Sequence, residues 1–335
     1  MRIAVFGTKP YDRQFLDAAN AEIHHDLTYL EPRLEATTAV LADGFPAVCV
    51  FVNDVVDAEV LTRLASGGTR LVALRCAGFN NVDLAAAAKH GIAVVRVPAY
   101  SPHAVAEFTI GLLLALDRNI PRAWARVREN NFALDGLIGR NLHGRVAGVV
   151  GTGRIGALVA RTLKLGFGCD VLANDPVVDP ALVTIGVRYL AVAELLAAAE
   201  IVTLHCPLTP ITRHLIDAAA IATAPPRMMI VNTSRGALID TKALIDGLKQ
   251  RKIGGVALDV YEQEGDLFYA DLSNEIIDDD VFQRLLTFPN VIVTGHQAFL
   301  TEEALTAIAE TTLASVADFA AGRPLGAPFV CVATG

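Results

Sequence analysis

The chain has 335 residues, 53% of them hydrophobic and 19% charged, with a formal net charge of −8. That length suits two domains with well-filled cores, and an acidic chain without a Lys/Arg block argues against nucleic-acid binding. No apolar stretch approaches the ~20 residues that span a bilayer, and the apolar opening Ile3-Ala4-Val5-Phe6 is too short for a signal peptide.

Short β-branched runs alternate with alanine- and leucine-rich helical stretches, the pattern of parallel α/β sheets. In chain order the first strands are expected at Ile3–Phe6, His25–Tyr29, Val48–Val52, Leu71–Arg75 and Ala93–Val97. A helix is expected from Ser101-Pro102 to about Arg118, with Ser as N-cap and Pro at the first helical position. Six further strands follow at Val146–Val150, Asp170–Ala173, Ile201–His205, Met229–Asn232, Gly255–Leu258 and Val291–Thr294. A last long helix starts at Thr301, carries Glu302 and Glu303 in its first turn and stops at Gly322. The simplest arrangement returns this helix and the tail to the first domain. Residues 1–100 plus 299–335 would then form a discontinuous flavodoxin-like domain, and 101–298 a doubly wound Rossmann domain. A hinge would lie near Tyr100 and Ala298, with a ligand cleft between the domains. Five scattered cysteines (Cys49, Cys76, Cys169, Cys206, Cys331) lack metal-ligand spacing, and four lie in or beside apolar runs. Buried free thiols, no metal and a cytoplasmic location are the expectation.

The strand Val146–Val150 runs into Gly151-Thr152-Gly153-Arg154-Ile155-Gly156, with a helical stretch behind it from Ala157 to Leu165. Asp175 follows, 19 residues beyond Gly156, at the end of a second apolar run. A lone glycine motif is weak, but strand, helix and acid together form the dinucleotide fingerprint. Gly151 permits the tight turn, Gly153 lets a pyrophosphate reach the backbone, and Gly156 lets helix and strand pack closely. Asp175 suits the two ribose hydroxyls and repels a 2′-phosphate, and Pro176-Val177-Val178-Asp179 brings no Arg to reverse this, so NAD is expected.

Three polar residues follow expected strands at their carboxyl ends, the edge where open α/β sheets bind ligands: Arg235, Glu264 and His296. Hydride transfer to a ketone builds charge on its oxygen, so a proton donor is needed there, and His serves near neutrality. A carboxylate favours the protonated ring and orients it, while Arg grips a carboxylate through two parallel hydrogen bonds. The set describes reduction of a 2-keto acid. Taken singly, each also reads as a structural or surface residue.

The chain resembles the D-specific 2-hydroxyacid dehydrogenases, and among them the fermentative D-lactate dehydrogenases. The resemblance rests on Leu74–Asp83, Val97–Pro102 with Ala104–Glu107, Gly151–Gly156, Leu204–Pro210, Val231–Asp240, Asp259–Glu262 with Asp266–Tyr269, and Gly295–Thr301. It implies His296 as acid/base, Glu264 as its partner and Arg235 as substrate anchor. Asp259 would lie between cofactor and Arg235 or be mainly structural. The amides of Ala77 and Gly78 would take the substrate carboxylate, Tyr100 would add a hydroxyl or line the cleft, and Phe51 and Phe299 would wall the pocket or simply fill the core. Cys206, Pro207 and Thr212 would contact the cofactor, with Thr233, Ser234 and Arg235 bordering the nicotinamide. Cys206-Pro207 would form an apolar wall. The implied reaction is NADH-dependent reduction of pyruvate to D-lactate. The alternatives are a larger 2-keto acid (phenylpyruvate, a branched-chain keto acid, hydroxypyruvate) or an NADH-sensing protein without turnover. The helix after Ser101 looks rich in exposed apolar residues, and family members pair through this region, so a homodimer or homotetramer is expected.

Overall fold

The structure, a computed structural model, describes residues 1–326 and 330–332. Its strands are β1 (Arg2–Val5), β2 (Asp26–Tyr29), β3 (Ala47–Val50), β4 (Leu71–Leu74), β5 (Ala93–Arg96), β6 (Val146–Val150), β7 (Asp170–Asn174), β8 (Arg188–Tyr189), β9 (Ile201–Leu204), β10 (Met228–Asn232), β11 (Ile253–Leu258), β12 (Val291–Val293) and β13 (Val330–Val332). They form two sheets, ordered β13-β5-β4-β3-β1-β2 and β12-β11-β10-β9-β6-β7-β8. Every pairing is parallel except β13 with β5. The chain divides into two compact units, Met1–Ser101 with Leu300–Gly335, and Pro102–Phe299.

Parallel strands covered on both faces read as continuous apolar runs, and alternate side chains divide between the faces. In the first unit Ala4, Val48, Val50, Val72 and Leu74 join one core. Ile3, Val5, Ala47, Cys49, Leu71 and Ala73 point to the other, where Leu16 and the Ala309, Leu313 and Val316 stripe of the helix Glu302–Ala320 cover them. Thr301 caps that helix by accepting from the Ala304 amide. In the second unit Val202, Leu204, Ile230 and Val256 face one core, and Ala147, Val149, Ile201 and Val231 the other.

Several elements depart from the sequence reading. The second sheet has seven strands: β8 is only two residues, too short and too polar to show as an apolar run. The first gains the antiparallel β13, whose side chains lie outside the described residues, Cys331 among them; the other four cysteines are buried and free. The helix behind the glycine motif starts earlier, at Arg154, and its last turn widens over Thr162–Gly166. The long helix Pro102–Asp117 is largely buried, against the expectation of exposed apolar residues there. The exposed ones lie in the next helix, Ile120–Arg128, and the loop after it: Ile120, Trp124, Val127, Phe132, Leu134 and Ile138.

A buried ion cluster occupies the carboxyl edge of the first sheet. The fully buried Arg75 guanidinium lies 3.3 Å from Asp12, donates to the Gly7 carbonyl and sits over the Phe51 ring at 5.1 Å. Its Nη1 has no hydrogen-bond partner among the described residues. Nearby Asp54, 1% exposed, accepts from the amides of Leu34 and Phe51. Burial pushes the Asp54 carboxyl up, opposed by Arg75 and by those two amides. Arg75→Met would leave buried carboxylates without their cation, at a cost of about 3–5 kcal/mol. Asp54 would then rise further above its unfolded value. Its neutral form favours folding at low pH, and that contribution is lost as pH rises through the raised folded value. Urea unfolding of the variant should therefore show a loss that grows from acidic to neutral pH; wild-type stability at pH 7 would contradict it.

Candidate active site

β6 and β9 flank the point where the strand order of the second sheet reverses, and the glycine loop leaves β6 there. Gly151 adopts φ +88°, and a Cβ on it would strike the backbone of His205 and Cys206. A Cβ on Gly156 would run into the Gly151 carbonyl oxygen. Gly153 is the extended N-cap of the helix Arg154–Arg161, with no side-chain cap and open space where its Cβ would stand. The first amides of that helix are thus left for an anion. Asp175, just beyond β7, accepts from the Thr152 amide at 2.7 Å and the Val177 amide at 2.8 Å. Each oxygen keeps a lone pair for a diol hydroxyl. Bare cradle, open helix end and adjacent acid fit a dinucleotide.

The neighbouring loops are fixed by side chains. Cys206 is buried, and burial pushes its thiol up to about 11, so it stays protonated near neutrality. Ser234 Oγ donates to the Cys206 carbonyl, Thr212 Oγ1 donates to the Pro207 carbonyl at 2.6 Å, and Thr233 shares a buried hydroxyl contact with Thr109.

Arg235, Asp259, Glu264 and His296 follow β10, β11 and β12, which are neighbours in the sheet. Asn232, fully buried at the end of β10, donates to the Arg235 carbonyl and accepts from the Ser234 amide, closing the turn that presents Arg235. A Cβ on Gly236 would collide with the Tyr261 carbonyl and the Glu262 amide. That close approach holds the Arg235 turn against the loop of Glu264. Arg235 is half-buried, and its Nη1 donates to the Ser234 carbonyl.

Glu264 accepts from the Tyr261 amide through Oε2 and meets His296 Nδ1 through Oε1 at 2.7 Å. An ionised carboxylate only accepts, so Nδ1 carries the proton and Nε2 is the ring nitrogen left to act. The two side chains are 16% and 22% exposed, so water screens the pair less than it would a surface one. His296 sits at φ +53°, uncommon outside glycine. Asp259 supplies the restraint. Its Oδ1 accepts from Thr294 Oγ1 at 2.6 Å and the Gln297 amide at 2.9 Å, and its Oδ2 from the Ala298 amide at 2.8 Å. Burial pushes its carboxyl up, and these three donors pull it back. Its hydrogen bonds thus go to the His296 loop, where the sequence had also offered a place beside Arg235. Tyr269 and Thr294 were not singled out in the sequence. The Tyr269 hydroxyl donates to the His296 carbonyl at 3.1 Å, and its ring lies 5.8 Å from the imidazole.

The other expected substrate residues divide between the units. Phe51, Ala77, Gly78 and Tyr100 follow β3, β4 and β5 at the carboxyl edge of the first sheet, and Phe299 is buried at the end of the second unit. Arg96 donates to the Ala77 carbonyl and the Cys76 thiol to the Gly78 carbonyl, while the amides of Ala77 and Gly78 donate to nothing among the described residues.

Residues 110–298 match the family model described as "D-isomer specific 2-hydroxyacid dehydrogenase, NAD binding domain". Over 96% of both chains the sequence is 57% identical to 2-hydroxyacid dehydrogenase homolog 1 of Schizosaccharomyces pombe. It is 49% identical to the D-lactate dehydrogenase of Escherichia coli, over 96% of this chain and 98% of that one. A solved structure from work identifying the pyruvate reductase of Chlamydomonas reinhardtii superposes with a TM-score of 0.91 at 46% identity, covering 97% of this chain and 98% of the other. No helix among the described residues is long and apolar enough to cross a membrane. With its NAD cradle and paired His296 and Glu264 at one sheet edge, the chain belongs to the D-isomer specific 2-hydroxyacid dehydrogenase family.

Proposed function

We propose that the protein reduces pyruvate to D-lactate, reversibly, with His296 as the acid/base. The observation that supports the residue roles is the 2.7 Å contact of His296 Nδ1 with Glu264, which leaves Nε2 as the ring nitrogen to meet a substrate. The choice of pyruvate is supported by the names of the relatives, a D-lactate dehydrogenase and a pyruvate reductase.

Bound NADH supplies the hydride. Arg235 grips the substrate carboxylate with its planar fork, which fixes the keto carbon in one orientation. Protonated His296 donates from Nε2 to the carbonyl oxygen as charge builds there, and in the reverse direction takes the proton from the hydroxyl. Glu264 balances the imidazolium and holds the ring. Asp259 acts at one remove, by setting the His296 backbone. The assignment of the Ala77 and Gly78 amides, Tyr100, Phe51 and Phe299 to the same substrate rests on the family resemblance. So does self-association as a homodimer or homotetramer, for which the exposed apolar residues between Ile120 and Ile138 are the physical support.

A panel of 2-keto acids assayed by NADH oxidation tests the reading. Pyruvate should give the highest kcat/KM; a preference for phenylpyruvate, a branched-chain keto acid or hydroxypyruvate moves the assignment to that substrate, and binding without turnover makes the chain a sensor. His296→Ala should lower turnover about 10²- to 10⁴-fold with NADH affinity retained, and wild-type turnover would remove His296 from the chemistry. Arg235→Lys should raise the KM for pyruvate about tenfold or more, since an ammonium cannot replace two charge-assisted hydrogen bonds. An unchanged KM would move the carboxylate anchor elsewhere.

A further inference from the structure

The second unit has another basin, at the opposite edge of its sheet. Its volume is about 860 Å³, within the range of small-molecule sites. Arg227 and Ile253 at the amino ends of β10 and β11, and Asn290 just ahead of β12, lie along it. The same three strands carry Arg235, Asp259 and His296 beyond their other ends. At ~3.3 Å per residue the six-residue β11 separates the two edges by about 20 Å, so the basin is no part of the coenzyme or substrate site.

Its lining is strongly cationic. Arg122, Arg140, Arg227, Lys249, Arg251 and Arg284 all border it, against one lining carboxylate, Asp117. In a chain of net charge −8 that concentration is unexpected. Two of the six are committed to acids: Arg140 lies 3.5 Å from Asp117, and Lys249 lies 3.2 Å from Asp246. Among the described residues Arg122 donates to the Gly136 carbonyl alone, and Arg284 contacts Thr287 and the face of Phe288. Arg227 and Arg251 have no acidic partner among the described residues, and both stand at left-handed backbone positions, φ +62° and +58°.

Helix ends account for part of this charge, because the helices Pro102–Asp117, Thr241–Lys249 and Asp280–Leu286 all finish here and cations suit their C-termini. Each such end is worth roughly half a negative charge. Set against six cations, three helix ends with Asp117 and Asp246 leave an excess of about +2.5. An adjoining hollow of about 220 Å³, walled by Ala115, Leu116, Pro121, Phe288 and Ile292, extends the basin with apolar surface.

We propose that this basin binds a small organic polyanion, carrying two to four negative charges on phosphate or carboxylate groups. Arginine forks match the oxygen faces of either group. The adjoining hollow takes the uncharged part of the ligand. The inference does not depend on which 2-keto acid the enzyme reduces. Arg122, Ile138 and Pro121 belong to the segment proposed above for self-association, so it requires that an assembly through that segment leave the basin open, and one that shuts the probes out overturns it.

Isothermal titration of the full chain, saturated with NADH to fill the coenzyme site, tests it with three probes: tripolyphosphate, citrate and inorganic phosphate. One tripolyphosphate or citrate should bind per chain, at least tenfold tighter than inorganic phosphate, and the tighter of the two identifies the anionic group. The double variant Arg227→Gln with Arg251→Gln should weaken that binding tenfold or more. Arg284→Gln, which removes one cation on a separate helix, should weaken it by a smaller factor. Both variants should keep wild-type NADH affinity and thermal midpoint, which separates a lost site from a damaged fold. No polyanion binding, affinity no better than for inorganic phosphate, or equal affinity in the variants would overturn the proposal.

Discussion

The buried carboxylate of Asp259 is the constraint on which the site depends. It leaves the end of β11 and reaches across to the next loop, where a hydroxyl and two successive amides converge on it. Burying a charge there costs several kcal/mol, and three hydrogen bonds to an ionised acceptor return about 1.5–3 kcal/mol each. The balance is close to even. What the arrangement secures is therefore geometry rather than stability: the amides after His296 are fixed, and His296 is held at a backbone angle its side chain would otherwise avoid. From that backbone the imidazole meets Glu264, itself tethered through the Tyr261 amide.

Close backbone approaches do the same work for the rest of the edge. Gly236 lets the Arg235 turn lie against Tyr261 and Glu262, and Gly151 lets the coenzyme loop lie against His205 and Cys206. A methyl group at either place would push apart loops that must present their donors to one small volume. Thr152 links the coenzyme loop onward, its amide to Asp175 and its hydroxyl to Tyr189. The glycine loop, Asp175 and the edge strand β8 are thereby one hydrogen-bonded assembly.

Much of this was legible in the residues because parallel α/β sheets obey a simple placement rule: polar residues after apolar strands gather at one edge. The glycine fingerprint, Asp175, Arg235, Glu264 and His296 could all be marked that way. The bonds of Asp259 could not, since they depend on how two loops close on each other 35 to 39 residues apart. Tyr269 and Thr294 act through hydrogen bonds to groups remote in sequence, among them the His296 carbonyl and the Asp259 carboxylate, which no local pattern marks. Edge strands were the weakest part of the fold reading: β8 has two polar residues, and β13 pairs antiparallel with a strand far earlier in the chain. The exposed apolar surface was placed one helix too early, because the apolar content of Pro102–Asp117 belongs to its core packing.

Sheet polarity also explains why cations collect at the amino edge of the second unit. In a parallel sheet with crossover helices, helix N-termini face the carboxyl edge and helix C-termini the amino edge. The carboxyl edge thus offers amides and partial positive charge, which suits the pyrophosphate of a dinucleotide at Gly153. The amino edge offers carbonyls and partial negative charge, which draws cations from helix ends and turns. Those cations are scattered from Arg122 to Arg284, so no charge block marks them in the sequence; only the fold gathers them. Once six stand around one basin they exceed what three helix ends can neutralise, and a surface that began as dipole compensation acquires a field of its own.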